Sequence, residues 1–243
     1  MRRLIVALGF LTRLPVPRVE ADTSDFAAAI RYYPCVGLII GVALAAGGWA
    51  GAHIDGWTGA LIALGCWVAV TGALHLDGLS DLADGLGAAH GDRQRLLTVM
   101  ADPHIGSFGV VAIALQLVAK LVLIHAIAPF GWGALGWGPL IAVPFAARIG
   151  PLAWARWVPP LKPGGLATIV AGAVRRRDLI GWGALLAAAA VVQPALAAAP
   201  LLIGGWGWWL RVRLGGVTGD AHGAGIELVE SGLLLALAIA AHR

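Results

Sequence analysis

Long uncharged apolar runs alternate with short polar stretches along this chain, and the runs set the elements. A helix needs about 20 mainly apolar residues to cross a bilayer. Runs of that order cover Pro34–His53, Trp57–Leu76, Phe108–Ala128, Leu140–Trp157 and, more shortly, Glu227–Ala241. A further run, Leu179–Leu210, has 32 residues without a formal charge, enough for one long helix or two short ones, with Pro194 and Pro200 able to break it. Met1–Leu14 reads as an amphipathic helix lying in the membrane interface, ended by Pro15 and Pro17. In the first long run Gly37, Gly41, Gly47 and Gly51 include four-residue spacings that let helix backbones approach closely. The pattern predicts an all-α, polytopic integral membrane bundle.

The basic residues orient it. Arg2, Arg3, Arg13, Arg18 and Arg31 precede the first run, which places the N-terminus in the cytoplasm. The polar stretch after Leu76, with Arg93 and Arg95, and the loop holding Lys162 and Arg175–Arg177 then fall on the same side. The outward turns, "HIDGW" and "PFGWGALGWG", carry no Lys or Arg. Two crossings within Leu179–Leu210 keep Arg211, Arg213 and Asp220 on that side too and give about seven transmembrane helices, whereas one crossing gives six. Seven is the favoured count.

Composition supports this picture and excludes others. The 243 residues are 59% hydrophobic and 12% charged, against about 25% charged in a soluble domain, and the mean hydropathy is +0.84. The chain is read as one integral membrane domain, 1–243, with an N-terminal interfacial segment (1–25), an acidic catalytic segment (77–107) and a second active-site loop (215–227). The formal charge of +4 is scattered in clusters between apolar runs, so no nucleic-acid stripe forms. Cys35 and Cys66 lie in or beside apolar runs and read as inert small hydrophobes.

Against this background "HLDGLSDLADGLG", His75–Gly87, stands out. Five of the 13 acids fall between Asp77 and Asp102. On a helix, Asp77, Asp81 and Asp84 lie within roughly a 60° arc. Three carboxylates that close repel unless a cation sits among them, and Mg²⁺ combines a few carboxylates with waters and substrate phosphates. The competing reading, a solvated acidic helix end, explains the polarity but not the shared face. In "MADPHIGSFG", Met100–Gly109, Asp102 adds a potential metal ligand. His104 and Ser107, with the backbone N–H groups near Gly106, are placed to hold a phosphate at a helix start, although Asp102 or Ser107 would serve equally as a helix cap. In "GGVTGDAHGAGIELVE", Gly215–Glu230, Thr218 and Asp220 sit on a glycine-rich turn before Glu227 opens the last run. Lys120 and Arg148 are costly inside a bilayer and so are expected to face a polar cavity. Arg148 is read as a phosphate ligand, while Lys120 is equally suited to pairing with an acid.

These motifs in this order, with "FLTRLPVP" (Phe10–Pro17) and "YPCVGLIIG" (Tyr33–Gly41), resemble the cobalamin synthase family, the adenosylcobinamide-GDP ribazoletransferases, across most of the chain. The resemblance implies a Mg²⁺-dependent, multi-pass enzyme of the bacterial inner membrane, with its active site facing the cytoplasm, in the assembly of the cobalamin nucleotide loop. It implies the small-molecule substrates adenosylcobinamide-GDP and α-ribazole or its 5′-phosphate, release of GMP, and a lipid bilayer as environment. Whether copies associate is left open. On the matching positions Asp77, Asp81 and Asp84 are the catalytic and metal-binding acids, with Asp102 as a further metal ligand. His104, Gly106, Ser107, Lys120, Arg148, Thr218, Asp220 and Glu227 are the expected substrate contacts. Which carboxylate serves as general base is left open. Ser80 and Tyr33 differ from the usual family pattern without touching the acids. A CDP-alcohol phosphotransferase is the runner-up, but its Ala-Arg after the first Asp-Gly and its later acidic run are missing here. A transporter with an acidic cation path is the reading from another class.

Overall fold

The computed structural model describes residues 1–128 and 138–242. Among them the chain forms thirteen α-helices and no strand. They are α1 (Arg2–Leu11), α2 (Thr23–Ala29), α3 (Tyr33–Ala52), α4 (Gly56–Thr71), α5 (Leu74–Ala89), α6 (Arg93–Val99), α7 (Ser107–Ile127), α8 (Gly138–Ala147), α9 (Gly150–Trp157), α10 (Leu166–Val170), α11 (Arg176–Val192), α12 (Ala199–Trp209) and α13 (Gly219–Ala241). Four helical stretches are long and apolar enough to cross a membrane: Thr23–Ala52, Ser107–Ile127, Gly138–Trp157 and Gly219–Ala241. The bent pair α4–α5 makes a fifth if it is counted as one span. The turn expected at Pro129–Gly138 lies, apart from Gly138, outside the described residues.

Close backbone approach builds the bundle. A Cβ on Gly37 would fall 2.7 Å from Phe145 Cα, and one on Gly41 2.5 Å from Ile141 Cα, so the first half of α3 lies directly against α8. One on Gly51 would fall 2.8 Å from the Thr58 carbonyl, which brings the end of α3 onto α4. The helix α13 is the central post. It packs on α5, α7, α8, α9 and α12, with Leu233 and Leu234 fully buried. Outward faces stay apolar: Val111, Leu115, Val118 and Val122 form an exposed stripe along α7. Such a stripe, left open at helical spacing, suits a lipid solvent.

Several boundaries differ from the hydropathy reading, each for a local reason. The second run does not continue to Leu76. It stops at Thr71, where Gly72 and Ala73 both take left-handed φ values of +60° and +59°, and α5 leaves at 84° to α4. The N-terminal segment seals this corner. Arg13 donates its backbone N–H to the Val70 carbonyl at 2.7 Å, and its side chain lies where a Cβ on Gly72 would be. The fourth run is two helices, α8 and α9, with Pro144 inside the first. The charge-free run Leu179–Leu210 is divided into α11 and α12 by a 3₁₀ turn at Pro194–Ala198. The last helix begins at Gly219 rather than Glu227, so most of the expected 215–227 loop is helical. Thr218 makes this early start possible, because its hydroxyl accepts the Ala221 N–H at 3.0 Å, satisfying one of the donors left open at a helix start. At the N-terminus α1 lies against α2 and α3, with Ala7 and Leu11 buried.

Candidate active site

The corner after Ala73 decides how the acidic helix is presented. Asp77, Asp81 and Asp84 all fall on α5, as their spacing predicts. Their environments differ: Asp77 is exposed, Asp81 half-buried and Asp84 buried. The first turn of α13 crosses α5 at Gly78, where a Cβ would meet the Asp220 carbonyl at 2.8 Å. The missing side chain therefore brings Asp220 alongside the acidic helix. The carboxylates of Asp77, Asp220 and Asp84 all act electrostatically on Asp81.

Asp84 is turned away from this group. Its Oδ2 accepts the Gly106 N–H at 2.8 Å and its Oδ1 the Gly109 N–H at 2.9 Å. A Cβ on either glycine would collide with the carboxylate. The amides expected to hold a substrate phosphate at the start of α7 are thus already engaged by an internal anion, in an arrangement that suits both the free donors and the positive end of the helix dipole. Asp102, His104 and Ser107 lie nearby in the chain and are exposed. Asp102 Oδ1 accepts the His104 backbone N–H at 2.9 Å and contacts the ring Nδ1 at 2.7 Å. That backbone bond, followed by the ring, holds the Asp102 carboxyl below the usual carboxylate range. Its second oxygen makes neither of these bonds.

A second carboxylate site lies deeper. Lys120 Nζ is 2.7 Å from Glu227 and 2.6 Å from Glu230, and 4.0 Å from the centre of a Trp67 ring. Arg148 donates to Glu230 at 2.7 Å and to the Pro144 carbonyl at 3.0 Å. Gln116 Nε2 shares its two N–H groups among Glu227 Oε2, the Glu227 carbonyl and Ser231 Oγ. All four charged groups are buried. Lys120, Arg148 and Glu227 were expected among the substrate contacts, but the structure places them in this closed network, their charges matched by one another. Glu230, Gln116 and Ser231 are the members that sequence reasoning missed. The signal was present: Gln116 and Lys120, and Glu227 with Glu230 and Ser231, stand at the spacings that share one helix face.

Between α5, α13 and the N-terminal helices lies a cavity of about 200 Å³. Phe10, Ile30 and Tyr33 form an apolar wall, and Asp77 and Asp220 line it opposite. His75 and His222 are buried in its lining, and both ring nitrogens of His222 and the Nε2 of His75 have no hydrogen-bond partner. Buried polar atoms of this kind cost about 1–3 kcal/mol each unless something bonds to them. Lys162 acts electrostatically on Asp220. Its loop is pinned to the start of α13: Leu161 donates to the Val217 carbonyl and Val217 to that of Pro159, both at 2.9 Å. Arg93 donates to the Leu161 carbonyl at 2.9 Å, fixing the loop from the other side.

The carboxylates with no helix-capping role here are exposed Asp77 and half-buried Asp81 and Asp220, hard oxygen donors of the kind that suits Mg²⁺. Among the described residues no three His, Cys, Asp or Glu side chains stand close enough to enclose a metal by themselves. That is compatible with an ion whose remaining ligands are waters and substrate phosphates.

Comparison with known proteins adds an independent line. The family model described as cobalamin-5-phosphate synthase matches residues 3–238. A protein of Novosphingobium aromaticivorans named adenosylcobinamide-GDP ribazoletransferase is 57% identical over 243 residues, covering 98% of this chain and 97% of its own. Proteins of the same name from Laribacter hongkongensis and Thiobacillus denitrificans are 50% and 46% identical, covering 100% and 97% of this chain and 98% and 94% of their own. No solved structure matches the chain.

Proposed function

The chain belongs to the cobalamin-5-phosphate synthase family, and from that premise we propose that it is an adenosylcobinamide-GDP ribazoletransferase. It joins adenosylcobinamide-GDP to α-ribazole or its 5′-phosphate and releases GMP. The observation that carries this reading is the placing of Asp77 and Asp220, beside Asp81, on the wall of a mainly apolar cavity that also holds the rings of His75 and His222. Such a cavity suits a flat, uncharged base, and the carboxylates suit the hydroxyl and phosphate chemistry next to it.

In the reaction an α-ribazole hydroxyl attacks the phosphorus nearest the cobinamide. A new O–P bond forms, the bridging P–O bond breaks, and its electron pair leaves with GMP. One of the open carboxylates, Asp77 or Asp81, takes the hydroxyl proton. Phosphoryl transfer depends mainly on positioning and charge neutralisation. Lys162 offsets phosphate charge from the loop opposite Asp220. The apolar wall keeps water from competing with the acceptor. Mg²⁺ held by one or two of Asp77, Asp81 and Asp220, with waters and substrate phosphates as its other ligands, would supply further neutralisation of the pyrophosphate. Asp84 acts differently: by capping α7 it sets where α5 stands, and so it is a positioning residue.

Seven crossings, α3, α4, α7, α8–α9, α11, α12 and α13, fit this site. They put Arg93, Arg95, Lys162, Arg175–Arg177, Arg211 and Arg213 on the same side as Asp77, the cytoplasmic one by charge bias. α1 then lies along that surface. The family match favours this chemistry over a CDP-alcohol phosphotransferase or a transporter.

The test is GMP release by purified protein given adenosylcobinamide-GDP and α-ribazole. Turnover that stops with EDTA and returns with Mg²⁺ is expected. Release of GMP at the same rate without α-ribazole, or full activity in EDTA, would count against the assignment.

A further inference from the structure

Away from the acidic helix, a cavity of about 590 Å³ opens where the starts of α3 and α11 meet the N-terminal helix. Arg3, Arg31, Arg175 and Arg177 line it, with Trp182 and Leu185. Arg175, Arg3 and Arg177 all act electrostatically on Arg31, so the guanidiniums crowd one another.

The built-in anions do not balance them. Asp178 lies 3.5 Å from Arg31 and also accepts the Arg175 backbone N–H at 2.8 Å. Asp25 is buried beneath Arg2 and Arg3. With Asp22, which faces Arg2, five guanidiniums against three carboxylates leave this corner two charges positive. Hydrogen bonds fix the scaffold around them. Arg31 donates to the Ala173 carbonyl at 2.7 Å, and Trp182 Nε1 donates back to the Arg31 carbonyl at 2.9 Å. The Trp182 ring packs edge-on against Phe145.

The surroundings identify the ligand. The cavity stands at the first turn of α11, and from Leu185 an exposed apolar strip runs along one face of the helix through Ala188 and Val192. Leu185 belongs to both surfaces. A free phosphate would use the arginines and leave this apolar strip unused. A molecule with an anionic phosphodiester on one end and acyl chains on the other uses both. Basic pockets between membrane helices select such headgroups, and a Trp at that level is a common interface anchor.

We propose that Arg3, Arg31, Arg175 and Arg177 form a binding site for the headgroup of one anionic phospholipid, whose acyl chains lie along α11 from Leu185 onward. The site ties α11 to the N-terminal helix and is separate from the transfer reaction, so it stands whether or not the proposed activity is correct.

The experiment uses the purified full chain equilibrated with equal amounts of phosphatidylglycerol and phosphatidylcholine, and counts retained lipids by native mass spectrometry. Retained phosphatidylglycerol should exceed phosphatidylcholine by about fivefold or more, the preference that a single arginine near the surface would already give. Arg175→Gln with Arg177→Gln should remove that excess, while Arg156→Gln with Arg211→Gln, which alters basic residues elsewhere, should keep it. Millimolar inorganic phosphate should not displace the lipid. Equal retention of the two lipids by the unaltered protein overturns the proposal without any variant. So does an excess that survives the Arg175 and Arg177 changes, or full displacement by inorganic phosphate, which would mark a free-anion site.

Discussion

Asp84 occupies the space that a side chain at Gly109 would need: the Gly109 N–H donates to Asp84 Oδ1 at 2.9 Å, and a Cβ there would fall on the carboxylate. With Gly106 making the matching bond to Oδ2 at 2.8 Å, the two residues weld the acidic helix to the start of α7. This separates Asp84 from Asp77 and Asp81 in role, although all three share a helix.

That separation is measurable. Asp84→Ala leaves the Gly106 and Gly109 amides, the second of them buried, without this acceptor and should cost about 3 kcal/mol of stability, from two hydrogen bonds to a charged group. Gly109→Ala should destabilise the same joint by forcing the carboxylate out. Thermal unfolding in detergent should show both, with activity lost in proportion to the folded fraction.

Asp77→Asn should behave in the opposite way. The side chain is exposed, so the melting temperature should stay within a few degrees while turnover falls roughly a hundredfold or more, the scale of a lost acid–base or metal-ligating group. Steady-state kinetics beside a melting curve decides it. Near-normal turnover at saturating Mg²⁺ would remove Asp77 from the chemistry.

Glu230→Gln should be among the most damaging single changes. It strips Lys120 and Arg148 of a shared partner, and leaving buried charges uncompensated costs about 3–5 kcal/mol. Adding Arg148→Met should recover part of that loss, because Arg148 has Glu230 as its carboxylate partner while Lys120 keeps Glu227. Expression level and thermal unfolding of the single and double variants test the coupling.

His222→Leu addresses the cavity. Both ring nitrogens lack partners, so replacing the ring by an apolar group should leave stability unchanged or slightly raised. If the ring bonds the acceptor's base, KM for α-ribazole should rise about tenfold while KM for adenosylcobinamide-GDP stays the same. Equal shifts in both constants would mean that His222 acts on the fold rather than on one substrate.

Much of this was legible from residue order. The helices α3 and α7 follow from long apolar runs, the second broken by Gln116 and Lys120, and the acids of α5 share a helix as their spacing predicts. The corner at Gly72 and Ala73 was not legible. Apolar residues continue on both sides of it, and it depends on Arg13 docking from far earlier in the chain. Spacing also could not say that Asp84 faces α7, since that direction is set by Gly106 and Gly109. The partners of Lys120 and Arg148 were hidden for a related reason. Helix-face spacing predicts which residues point together, but only packing shows that α13 carries Glu230 between the two cations.

The buried quartet of Lys120, Arg148, Glu227 and Glu230 holds two positive and two negative groups, each within 2.7 Å of an opposite one. A transmembrane voltage does work of about 2.3 kcal/mol on each unit charge moved through 100 mV, but on a group with no net charge that work cancels. The buried quartet therefore gives a membrane voltage no net charge to pull on, and the post around which this bundle packs holds its place in a polarised vesicle as in a collapsed one.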